Sequence, residues 1–135
     1  MLPIKRIDHV AIAAESIDER VRFLSELFGM KPGPRYDNPQ DGYNGVELTI
    51  PGSDTKWEVI EPAGENSFVT RFLGQRGPGL HHVTFEVTDI EAAAKVLRER
   101  GIEPFGMRVE GAWNNELFIH PRDTGGVLIQ LYQEG

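Results

Sequence analysis

Apolar and β-branched positions dominate the opening stretch "IKRIDHVAIAA" (4–14) and predict a strand. The pattern then changes. Ser16 and Glu19 have capping-box spacing, and Val21, Leu24, Leu27 and Phe28 fall on one helical face, so a helix follows. Gly29 stands where a left-handed helix stop is needed. Three shorter strands are predicted next, over Lys31–Tyr36, Val46–Ile50 and Lys56–Glu61, with "PGSD" (51–54) as a turn. The polar stretch "RYDNPQDGYNG" (35–45) reads as a mobile loop over a site.

The same order returns later in the chain. An offset of 73 maps His9 to His82, Val10 to Val83, Ile17 to Ile90 and Leu24 to Leu97. After a one-residue deletion the offset is 72, which maps Gly29 to Gly101 and Pro32 to Pro104. "LHHVTFEV" is the second opening strand, and Asp89 caps a helix bearing Ile90, Ala94 and Leu97. Strands are predicted over Glu103–Val109, Glu116–His120 and Val127–Tyr132, with "PRDTGG" (121–126) answering "PGSD". Two tandem βαβββ modules, about 4–62 and about 79–133, are joined by a linker (63–78) whose "SFVTRFLGQR" predicts a short helix. The class is α+β, and units this short are expected to pack together as a single domain over residues 1–135.

Composition narrows the chemistry. A net charge of −7 argues against nucleic-acid or anionic-membrane binding, which uses clustered Lys and Arg. No apolar run reaches the roughly 20 residues of a membrane span, and "MLPIKRIDHV" lacks a signal-peptide core, so cytoplasmic residence is expected. The absence of cysteine removes disulfides, thiolate metal sites and Cys nucleophiles.

What remains is carried by the repeat. His9 and His82 share one place in the first strands, and the 72 offset takes Glu58 in "KWEVIEP" to Gln130 in "VLIQLYQ". Glu58 and Gln130 are each a single polar residue embedded in an apolar strand, which is costly without a partner. Modules related by a pseudo-twofold axis would gather His9, Glu58, His82 and Gln130 around one centre. That nitrogen–oxygen set suits a divalent ion such as Co, Ni, Zn, Mn or Fe(II). A substrate with two neighbouring oxygens could fill the positions left open. His81 points away from His82 in strand register and reads as structural, and His120 in "FIHPRD" reads as a turn residue.

"IDHVAIA", "GPGLHHVTFEV" and "FIHPRDTGGVLIQL", on a duplicated βαβββ plan, resemble the vicinal oxygen chelate superfamily over nearly the whole chain. Within it the resemblance is closest to the methylmalonyl-CoA epimerase branch. It implies that His9, Glu58, His82 and Gln130 hold the metal and that Glu47 in "NGVELTI" is a catalytic base. It also implies a metal-stabilised enolate, a small acyl-CoA or α-oxo acid-like substrate and a homodimer. The branch usually carries Glu at the position of Gln130 and often Gln at that of Glu58. An amide is no general base near neutral pH, so Glu47 and Glu58 are the groups left for proton transfer. Trp113 and Asn115 are expected to line the substrate pocket. The same scaffold hosts glyoxalase I-like lyases, Fe(II) extradiol-type dioxygenases and ligand-sequestering proteins without catalysis, and these are the alternative functions.

Overall fold

Strand, helix and three strands occur twice along the chain, in a computed structural model that describes residues 1–109 and 115–134. The first set is β1 (Ile4–Ala13), α1 (Ile17–Phe28), β2 (Lys31–Asn38), β3 (Tyr43–Thr49) and β4 (Lys56–Pro62). Helix α2 (Phe68–Arg76) follows, within the linker where a short helix is expected. The second set is β5 (Gly79–Val87), α3 (Ile90–Glu99), β6 (Phe105–Val109), β7 (Asn115–Ile119) and β8 (Ile129–Tyr132), with a 3-10 turn at Pro121–Asp123. Contacts gather the chain into two compact units, residues 9–81 and residues 1–8 with 82–135, and β1 passes from one to the other between Asp8 and His9. Among the described residues, no helix is long and apolar enough to cross a membrane.

In the unit of residues 9–81 the strand order is β2-β3-β4-β1, with β1 parallel to β4 and the other pairs antiparallel. Alternation decides the two faces. Val46, Leu48 and Val59 pack under α1 with Ile17, Leu24 and Met30. The opposite face carries Ile60 and Ala13, which pack on Val69 of α2. Glu58, two residues before Ile60, shares that second face.

Three expectations change in this unit. The capping box does not form, since Ser16 makes no side-chain cap bond. The Ile17 amide donates instead to Glu61 Oε1 at the end of β4 (2.8 Å). Leu27 and Phe28 are 69% and 54% exposed, so the buried stripe of α1 runs through Ile17, Val21 and Leu24. The expected loop over 35–45 is mostly strand, because β2 and β3 pair from Lys31↔Thr49 to Asn38↔Tyr43 and leave a tight turn at 39–42.

In the other unit the order is β5-β8-β7-β6, with β8 parallel to β5. Val87, Leu117, Ile119 and Leu131 pack under α3 with Ile90, Ala93, Ala94 and Leu97. Asp89 caps α3 as expected, accepting from the Ala92 amide (3.0 Å). The Ile90 amide donates to Gln133 Oε1 (2.9 Å). Glu61 and Gln133 are 72 residues apart, so the repeat extends to the groups that hold the helix starts. Lys5 and Arg6 bind the buried Glu86 (3.3 and 2.9 Å), which ties the start of β1 to β5.

Candidate active site

On β1 and β4, strand register sets Ala11 beside Glu58, and His9 lies on the same face two residues before Ala11. Across β3 and β4 the direct pair is Glu47↔Glu58. These three expected residues therefore converge within the unit of residues 9–81. His9 Nε2 lies 3.5 Å from Glu58 Oε1, and His9 Nδ1 lies 3.8 Å from Glu47 Oε2. The two carboxylates differ in exposure. The Glu58 side chain is 10% exposed and His9 12%, whereas Glu47 is 38% exposed.

A fourth member was not visible in the sequence. Tyr36 of β2 donates its phenol hydrogen to Glu58 Oε2. Register explains how the ring fits: Tyr36 pairs with Gly45 on β3, and a Cβ at position 45 would run into the ring. Tyr43 packs edge-on against Tyr36 from the same hairpin. Burial, and then the charge of Glu58, push the Tyr36 pKa far above the ordinary phenol range. The hydroxyl stays protonated and serves as a donor. An aromatic residue facing glycine across a predicted hairpin is the one sequence signal that could have found it.

On the other unit's polar face, β5 carries His82 and Thr84, and Thr84 pairs with Gln130 of β8. The Thr84 hydroxyl donates to Gln130 Oε1 (2.7 Å), and Gln130 Nε2 donates to Glu116 Oε1 on β7 (2.6 Å). Arg108 of β6 lies 3.8 Å from the other Glu116 oxygen. Glu116 is the second residue that the repeat arithmetic missed. His82 is buried.

His81 packs against Phe68 and Phe72 of α2, with ring centroids 5.1 and 4.9 Å apart, and burial lowers its pKa to about 4. It is an aromatic contact for the helix, as the structural reading expects. His120 Nδ1 accepts from the Arg122 amide (3.1 Å) and caps the 3-10 turn. Asn115 opens β7 half-buried, with its carbonyl accepting from Gln133 N (2.8 Å). Trp113 lies outside the described residues.

Chemically, the imidazole of His9 and the anchored carboxylate of Glu58 are donors suited to a borderline divalent ion. Glu47 beside them is an accessible carboxylate able to exchange a proton. Fold and donor set together define a duplicated βαβββ protein with a candidate metal site. Residues 8–117 match the model of the glyoxalase/bleomycin resistance protein/dioxygenase superfamily, and the chain belongs to that superfamily. Over 135 residues it is 34% identical to the ethylmalonyl-CoA/methylmalonyl-CoA epimerase of Cereibacter sphaeroides, spanning 96% of this chain and 98% of that protein. Human mitochondrial methylmalonyl-CoA epimerase is 32% identical over 131 residues, spanning 95% of this chain and 73% of the human protein. The crystal structure of methylmalonyl-CoA epimerase from Mycobacterium tuberculosis superposes with a TM-score of 0.90 at 31% identity, covering 100% of this chain and 91% of that one.

Proposed function

We propose that this chain is a metal-dependent epimerase of the methylmalonyl-CoA type, acting on an acyl-CoA whose reactive carbon lies between a thioester and a carboxylate. One observation carries the reading: the two carboxylates paired across β3 and β4 differ in freedom. Glu58 is buried and held by Tyr36, as a ligand should be, while Glu47 is accessible, as a proton-transfer group should be. His9, Glu58, His82 and Gln130 would hold a divalent ion, on the grounds of the repeat and the family resemblance. When bound, the ion would supply Lewis acidity toward the substrate oxygens and so favour the enolate.

Glu47 removes the proton from the carbon between the two carbonyl groups and holds it at a carboxylate oxygen. Inversion needs a proton returned on the opposite side of that carbon. Gln130 has an amide and cannot act there, which leaves Glu58, through the oxygen that Tyr36 does not hold, to serve both as ligand and as second proton carrier. Cytoplasmic residence and a homodimer complete the proposal, and Phe23, Leu27 and Phe28 are exposed apolar side chains available to a subunit contact.

The test is solvent deuterium exchange into methylmalonyl-CoA by metal-loaded protein. Glu47→Gln should lower exchange by about 10²–10⁴-fold, the usual contribution of a general base, with metal content unchanged. Exchange at the wild-type rate in Glu47→Gln would remove Glu47 from the reaction. Absence of exchange by the wild-type protein would sink the epimerase reading.

A further inference from the structure

Glu58 and Gln130 occupy equivalent positions but differ in hydrogen-bonding character, and their neighbours differ to match. Ionised Glu58 only accepts, and the side chain against it is a phenol, which donates. Gln130 has a donating and an accepting end. Its nitrogen meets the carboxylate of Glu116 and its oxygen meets the hydroxyl of Thr84. We propose that Tyr36 and Glu116 are positioning residues, each matched to the last-strand side chain it holds. Between them they determine which oxygen atoms of Glu58 and Gln130 are offered to an ion. The inference rests on the proposed metal site.

In the unit of residues 9–81, the phenol occupies Glu58 Oε2, and Glu58 Oε1 is the atom beside His9 Nε2 at 3.5 Å. In the other unit, Glu116 can only accept from Gln130 when ionised, so the amide nitrogen has to face it. The oxygen is then turned toward Thr84 and keeps its second lone pair. A flipped amide would set its N–H against Thr84 and turn its oxygen toward a carboxylate. Glu116 thus makes Gln130 an oxygen ligand of defined orientation, where an unheld amide could present hydrogen atoms to a cation. Partners that orient ligands in this way commonly change metal affinity by about 10–100-fold when removed.

The pairing makes a counter-intuitive expectation. A carboxylate is ordinarily a stronger ligand than an amide for a divalent ion. Gln130→Glu nevertheless sets two carboxylates in contact, at the 2.6 Å now bridged by an N–H.

The experiment is Co(II) titration of the full chain, followed by visible absorption, with thermal unfolding of each metal-free variant as the control. Tyr36→Phe should weaken Co(II) by about tenfold or more and shift its absorption bands. Gln130→Glu should weaken it similarly, and adding Glu116→Gln to that variant should restore affinity to near wild type. The inference is overturned if Tyr36→Phe and Gln130→Glu bind Co(II) as the wild type does, or if Glu116→Gln brings no recovery. A wild-type chain that takes up no Co(II) defeats the proposed metal site itself. That outcome differs visibly from variants that all bind equally.

Discussion

A histidine that gains no charge in the fold becomes a liability in acid, and His81 is such a residue. Burial against Phe68 and Phe72 lowers its pKa from 6.5 to about 4. The unfolded imidazole therefore binds a proton that the folded one refuses between those values. Stability from this site is complete above about pH 6.5 and is lost as pH falls toward 4. His81→Phe should lose less of its unfolding temperature than wild type between pH 7 and pH 4.5, and parallel curves would contradict this account. At this scale the sequence shows His81 and His120 as structural residues, because strand register and turn chemistry are local properties. Tyr36 and Glu116 were not legible for a related reason. Each acts through cross-strand pairing, and β2–β3 and β6–β7 both shift register along their length, between Pro32 and Arg35 and between Phe105 and Arg108. A constant offset cannot follow two irregular hairpins.

Among the elements, α1 and α3 start in the same way although their local sequences differ. Each first amide is taken by a side chain from the end of its module's last strand, Glu61 for Ile17 and Gln133 for Ile90. The capping box at Ser16 was expected because local spacing is all that a chain segment displays. The residue that replaced it lies 44 positions away. Glu61→Ala should lower stability in urea by about 1 kcal/mol, the usual cost of a lost cap. Glu61→Gln should lose clearly less, since Gln133 already performs this task in the other module. Equal losses for the two variants would show that the charge of Glu61, rather than its reach, holds α1. Strand and helix order was readable from apolar runs, helical spacing and turn residues, while the exposure of Leu27 and Phe28 was not, since a helical stripe does not reveal how far the sheet beneath it extends.

For the molecule as a whole, duplication gives both modules one plan, βαβββ, with parallel first and last strands and a buried apolar face under a helix. That plan was legible because its signals repeat. The chemistry superimposed on it is not symmetric. Two last-strand positions, 58 and 61, are carboxylates in the first module, and their counterparts, 130 and 133, are amides in the second. For the helix starts this has a consequence measured in ionic strength. The Glu61 carboxylate meets a helix N-terminus as a charge facing a dipole, which dissolved ions screen, whereas the Gln133 amide offers only a neutral hydrogen bond. Adding sodium chloride should therefore speed amide hydrogen exchange in the first turn of α1 more than in the first turn of α3. One fold, built twice, would then meet the same salt with two different responses.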